Sequence, residues 1–234
     1  MKLWQKRMAA LCLCGALLCG SVPAGRAEDA EEISVYSSHM NEQNKIALTF
    51  DDGPHPVYTP QILDILAEYH VHATFFLIGE NVEQYPELVQ RIQREGHEIG
   101  NHTYCHANLK KTAPGRIREE ILETEDALLL IADQRPKLLR PPGGLYNKQV
   151  CETASALDYD VILWTIDTRD WAHTPCDAIV ANVEGNIRCG DIILCHDAVG
   201  GKPSPTPDAV RRIVPDLLRQ GYDFVTVSEL IHSQ

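Results

Sequence analysis

The chain is poor in positive charge: 21 Lys and Arg stand against 33 Asp and Glu, for a net charge of −12. No cluster of Lys or Arg forms a basic patch, which argues against nucleic acid as a partner. The acidic excess favours solubility and names no substrate. None of the eight cysteines forms a CxxC pair, which argues against a structural zinc ribbon. There is no internal repeat and no long linker. A long apolar run occurs only at the start, where Lys2, Lys6 and Arg7 precede "MAALCLCGALLCG" and small residues offer cleavage after Ala24 or Ala27. That run is too short for a comfortable membrane span and has the layout of a secretory signal peptide over residues 1–27. A retained N-terminal anchor is the alternative; no lipobox-type small residue precedes Cys12, Cys14 or Cys19.

Secretion is therefore the expected localisation, and cleavage would remove four basic residues and no acidic one. Residues 28–43 are polar and read as a flexible lead-in. Residues 44–234 fit a single domain of about 190 residues, enough to bury one sizeable core. Five cysteines lie in it, Cys105, Cys151, Cys176, Cys189 and Cys195, and an odd number leaves at least one thiol unpaired. If "DAIVANVEGNI" is helical, Cys176 and Cys189 stand about 20 Å apart, too far for a disulfide.

What is present is alternation. "KIALTF", "ATFFLIG", "HEIGN", "KLLR", "DVILWTID", "DIILCH" and "DFVTVSEL" are short apolar runs, and longer segments of helical periodicity separate them. "TPQILDILAEYH", "VEQYPELVQRIQREG" and "APGRIREEILETEDALLLIAD" are the clearest of those. Strands alternating with helices predict a parallel sheet covered by helices, and about seven strands favour a barrel over an open sheet.

Five of the expected strands run into residues capable of chemistry: Asp51 and Asp52; Asn101 and His102; "PPGG" after Arg140; Asp167 and Asp170; Cys195 and His196. Parallel α/β folds gather such strand ends on one face, where active sites lie. "TFDDGP" alone could be an Asp-Gly-Pro turn without chemistry. His102 and His106 are spaced so that one helical turn would set both rings on one side. Two imidazoles and a carboxylate, with Asp52 the natural third, make a catalytic zinc set with a position open for water. His55, His70, His72 and His97 have no such partners and read as surface residues.

"TFDDGP", "HTYCH", "RPPGG", "DTRDW" and "IILCHD" follow one another in the order of five motifs of the polysaccharide deacetylases, the NodB-homology domain of carbohydrate esterase family 4. The chain resembles that family from about residue 44 to 231. The resemblance implies a distorted (β/α) barrel and a metal-dependent deacetylase of N-acetylated cell-surface polysaccharide; the signal-peptide layout makes peptidoglycan the expected substrate, and no obligate protein partner is evident. The resemblance implies Asp51 as base and Asp52, His102 and His106 as ligands of one divalent metal, expected to be zinc. It further implies Arg140 orienting the base, Gly143 offering a backbone N–H to the oxyanion and Asp170 orienting the acid His196. Trp171 and Leu194 would shape the acetyl pocket. Gly143 replaces an aromatic residue common after the motif-three prolines, Ala107 stands where proline often follows the second histidine, and Cys105 and Cys195 flank the second histidine and the acid. Those thiols read as buried fillers or as a redox-sensitive pair at the rim. The rivals are an O-acetyl esterase of acetylated xylan, a chitooligosaccharide deacetylase, a non-catalytic carbohydrate-binding relative and a metal-sequestering protein. A non-catalytic carbohydrate-binding relative predicts loss of Asp51, a metal ligand or His196, and a metal-sequestering protein predicts ligands without the base, the acid and the arginine; all of these residues are present.

Overall fold

The computed structural model describes residues 34–40, 43–200 and 203–232. The expected signal peptide lies outside them. The chain forms strands β1 (Val35–Tyr36), β2 (Lys45–Asp51), β3 (Thr74–Leu77), β4 (Glu98–Asn101), β5 (Leu138–Leu139), β6 (Asp160–Ile162), β7 (Ile166–Asp167), β8 (Ile192–His196) and β9 (Asp223–Phe224). The helices are α1 (Tyr58–Tyr69), α2 (Gly79–Gln84), α3 (Pro86–Arg94), α4 (Pro114–Ala132), α5 (Lys148–Ser155), α6 (Cys176–Asn186), α7 (Thr206–Arg219) and α8 (Val227–Ile231).

All strand pairings are parallel, and the sheet order is β1-β6-β5-β4-β3-β2-β8-β7, with β9 on the first residues of β2. This order forces curvature. β6 and β7 bound a run of seven strands, which laid flat would hold them about 29 Å apart at ~4.8 Å per strand. Only residues 163–165 join them, a reach of about 14 Å. The sheet therefore curls into a distorted barrel with a seam between β6 and β7.

Side-chain alternation along each strand separates two cores. Ile46, Leu48 and Phe50 of β2, with Ile193 and Cys195 of β8, face outward against α1, α3, α6 and α7. Ala47 and Ile192 face inward with Phe76, Leu138 and Ile162. Helix α8 closes the amino end of this interior through Val227, Leu230 and Ile231. Thr226 opens α8 with a capping box to Glu229, and the Val227 N–H donates to Thr74 at the start of β3. Each apolar side chain so buried contributes about 1.5–3 kcal/mol.

The expected segmentation differs in four places. "DVILWTID" is two strands, because the sheet breaks there at the seam. "DFVTVSEL" is a two-residue strand followed by α8. "VEQYPELVQRIQREG" spans two helices, parted where Pro86 opens α3 at a position that needs no backbone N–H. Val35 and Tyr36, within the expected lead-in, pair with Val161 and Ile162 of β6 and cover an edge that would otherwise present unpaired backbone groups.

Candidate active site

On four strands, β2, β8, β4 and β5, the inward-facing series ends at the carboxyl end in a polar residue; on β3 it ends in Phe76 and Ile78. Counting by twos, Ala47-Thr49 leads to Asp51, Ile192-Leu194 to His196, Gly100 to His102 and Leu138 to Arg140. These residues meet over the interior core. Asp51 and His196 are direct register partners on β2 and β8. Around them lies a cleft of about 360 Å³ lined by Asp51, Asp52, His102, His106, Gly143, Trp164, Asp167, Trp171, Leu194 and His196.

Arg140 is fully buried and ties the site together. Its Nη1 donates to Asp51 Oδ1 at 2.7 Å and to Thr49 Oγ1 at 2.8 Å. Its Nη2 donates to the Leu163 carbonyl at 2.9 Å, at the edge of the seam, and its guanidinium lies 4.0 Å from the Phe76 ring centre. Its own carbonyl stands 2.7 Å from His102 Nδ1. A hydrogen bond there requires the proton on Nδ1, so His102 Nε2 carries a lone pair toward the cleft.

Asp52 Oδ1 lies 3.3 Å from His102 Nε2 and 3.2 Å from His106 Nε2. The three side chains offer ligand atoms within 4.8 Å of one another. Asp52 Oδ1 is buried without a hydrogen-bond partner, although it faces two imidazole nitrogens, because His102 Nε2 has no proton to give in this tautomer. Lone pairs converging on one point are a poor arrangement without a cation and a good one with it, so the residues fit a divalent metal. Burial opposes ionisation of Asp52, but the two facing imidazoles, when they are protonated, outweigh it and hold the carboxyl well below its usual range. Asp52 in turn raises the pKa of His106, against the effect of burial.

The histidines are not on a helical turn. Residues 102–106 form a loop in which Thr103 (φ 68°) and His106 (φ 57°) take the left-handed conformation. The ring centres are nonetheless 5.2 Å apart. Glu120 of α4, itself buried, shapes this loop by accepting the Tyr104 and Cys105 N–H groups, each at 2.9 Å, and the Cys105 thiol.

On the opposite wall, Asp170 is fully buried and accepts four hydrogen bonds: His196 Nδ1 at 2.7 Å, the His196 N–H at 2.7 Å, the Trp171 N–H at 2.9 Å and Thr206 Oγ1 at 2.6 Å. Burial lowers the pKa of His196, but Asp170, followed by Asp51 and Asp52, raises it to about 9. Leu194 is buried in the cleft wall and Trp171 is half exposed at its edge. Gly143 sits at φ 62° in the "PPGG" turn, whose backbone bonds come from Gly144 and Leu145 and leave the Gly143 N–H uncommitted.

Several contributors escaped the sequence reading. Trp164 lies at the seam, and its ring occupies the space beside Gly144, where a Cβ would come within 2.9 Å. Thr206 holds Asp170 from α7. Asp197 lies fully buried under the Asp52–Gly53 link, 2.3 Å from where a Gly53 Cβ would stand. Burial, with Asp52 and Asp51 nearby, lifts its pKa to about 7 against a hydrogen bond from Thr59. Cys195 faces the outer core as a filler, and Cys105 is bound to Glu120, so the two do not form a reactive pair at the rim. His97, expected at the surface, is buried against Ala73 and is pushed down to about 4, chiefly by burial.

A buried carboxylate, a candidate metal cluster and a carboxylate-held imidazole around one small cleft on an α/β barrel make up a hydrolase site suited to removing an acyl group. The chain belongs to the polysaccharide deacetylase family, whose model matches residues 39–162. It is 45% identical over 193 residues to a peptidoglycan-N-acetylglucosamine deacetylase of Bacillus cereus, covering 82% of this chain and 90% of the relative. The crystal structure of the Bc1960 peptidoglycan N-acetylglucosamine deacetylase superposes with a TM-score of 0.83 at 40% identity, over 86% of this chain and 94% of that one. A pseudoenzyme of carbohydrate esterase family 4 from Bacillus anthracis also shares the fold, with a TM-score of 0.80 at 28% identity over 86% of this chain and 69% of that one. The family includes hydrolases of polysaccharide N-acetyl groups, and this chain is such a hydrolase.

Proposed function

We propose that the chain is a secreted, zinc-dependent deacetylase of peptidoglycan, removing acetyl groups from its amino sugars. The observation that carries this reading is the placement of two differently prepared groups side by side. Asp51, held by Arg140, and His196, held by Asp170, are register partners with the Asp52/His102/His106 cluster beside them.

Asp52, His102 and His106 would hold the metal, which when bound supplies Lewis-acid polarisation of the acetyl carbonyl and the attacking water. Asp51 takes the proton of that water, and Arg140 keeps its carboxylate aimed. The Gly143 N–H is free to donate to the developing oxyanion. His196, kept protonated by Asp170, gives its proton to the departing amine. Leu194 walls off the acetyl methyl, and Trp171 borders the sugar. Pseudoenzymes occur on this fold, so the presence of base, acid and ligand set together favours turnover here.

The relatives named for peptidoglycan, together with the signal-peptide layout of residues 1–27, support the wall polymer as substrate. The test compares purified peptidoglycan, chitin oligomers and acetylxylan side by side, counting acetate and new free amines. Amines on peptidoglycan at the highest kcat/KM are expected. Acetate from acetylxylan with no new amines on either amino-sugar polymer would overturn the reading in favour of the esterase.

A further inference from the structure

We propose that Arg169 is a specificity residue that binds a carboxylate carried by the glycan beside the sugar being deacetylated. This rests on peptidoglycan as the substrate and deepens that reading. Arg169 stands between two cleft-lining residues, Asp167 and Trp171, at the carboxyl end of β7. Its guanidinium carbon lies 5.8 Å from the centre of the Trp171 ring. Trp171 is 50% exposed, and a half-exposed indole at the mouth of a sugar-hydrolase cleft offers an apolar face for a pyranose ring. A substituent on that ring, or on its neighbour, falls within reach of the guanidinium.

The backbone that carries Arg169 is fixed. Asp167 Oδ1 accepts its N–H at 2.8 Å. Its carbonyl accepts from the Ala172 N–H at 3.0 Å and from Thr174 Oγ1 at 2.8 Å. These bonds hold a non-glycine residue in the left-handed conformation, φ 56°, which costs energy that the surroundings must outweigh. The guanidinium is thus presented from a rigid turn, which lowers the entropy lost when it closes on a ligand.

The charge pattern identifies the ligand. Of the other cations at the cleft, Arg140 is bonded to Asp51 and His196 to Asp170. Arg169 is exposed and has no carboxylate partner among the described residues. A chain of net charge −12 repels an anionic polymer at long range, so a local cation at the cleft is what lets such a polymer approach. A chitin-type polymer carries no carboxylate, whereas bacterial wall glycan carries one on the lactyl ether of its muramic residues or on the attached peptide. A planar guanidinium suits that group.

The test uses wall glycan in three forms: peptide-free with lactyl carboxylates, the same strands with those carboxylates amidated, and strands bearing stem peptides. Binding is measured by calorimetry and new amines are counted in parallel, for the wild type, Arg169→Gln and Arg169→Lys. The wild type should bind the carboxylate form about 3- to 10-fold more tightly than the amidated form, the scale of one partly exposed charged contact. The preference should shrink with added salt, fall to about 1 in Arg169→Gln and be partly kept in Arg169→Lys. A preference on peptide-free strands places the contact at the lactyl group, and one confined to peptide-bearing strands places it at the peptide. An equal preference in the wild type and Arg169→Gln, or none in the wild type, would overturn the proposal. Charge preference without amine release would leave the contact standing and sink the deacetylase reading; amine release without charge preference would do the reverse.

Discussion

His196 and Asp51 are adjacent in register, yet a different partner holds each: Asp170 the imidazole and Arg140 the carboxylate. Asp170 overcomes the burial of His196 and raises its pKa to about 9, so the imidazole stays protonated at neutral pH. An acid must carry its proton, so turnover should persist up to about pH 9 and fall above it. Asp170→Asn removes the carboxylate, and the alkaline limb of kcat should move from about 9 toward or below 6.5; a limb that stays in place would exclude Asp170 as the partner of His196. The same shift has a stability sign. A pKa raised by folding contributes stability that is complete below about 6.5 and lost as pH rises through about 9, so alkaline denaturation should begin earlier in the wild type than a neutral-pH measurement suggests. Arg140 is the other residue on which much depends, since it is fully buried and meets Asp51, Thr49 and the seam carbonyls. Arg140→Met leaves Asp51 a buried charge without its partner, and denaturant titration should show a loss of about 3–5 kcal/mol.

Among the elements, the loop at residues 102–106 depends on α4. Glu120 accepts two loop N–H groups and the Cys105 thiol and is bridged by Arg116 at 2.7 Å. Glu120→Ala should cost about 2–3 kcal/mol and lower zinc affinity about tenfold, because the histidines lose their fixed base. Glu119→Ala, on the exposed side of the same helix, should change neither by more than about 0.5 kcal/mol; equal effects from both would mean the loop holds its own shape. This loop also shows where sequence reading stops. The His102 and His106 pairing was legible from spacing, but the helical turn assumed for it was not real, since no local pattern reveals two left-handed residues held by a glutamate 14 and more positions away. Asp51, Arg140 and His196 were legible because each ends an apolar run. Trp164 and Thr206 were not, since their roles arise only when the sheet curls and α7 packs over Asp170. The split of "DVILWTID" was hidden for the same reason: an unbroken apolar run carries no mark of a seam.

At the scale of the whole molecule, the cluster sits on loops above a core that does not need it. The outer core and the interior core closed by α8 are apolar and separate from the metal cluster. Removing metal with a chelator should therefore abolish turnover while leaving far-ultraviolet circular dichroism unchanged. Zinc at about 100 times its Kd adds about 2.7 kcal/mol, so chelation should lower Tm by about 5–11 °C for a domain of this size. Complete unfolding on chelation would mean the metal is structural. Replacing His102 or His106 with Ala should likewise remove most bound zinc, as two remaining ligands hold the ion poorly. Amide hydrolysis driven by Asp51 beside a bound metal is the central proposal. Its most direct test is to count acetate and new free amines together on purified peptidoglycan, for the wild type and for Asp51→Asn with bound zinc verified. Equal amounts of acetate and amine from the wild type, falling at least 100-fold in the zinc-loaded variant, are the predicted result; near-normal amine release by Asp51→Asn, or acetate without amines from the wild type, would contradict it.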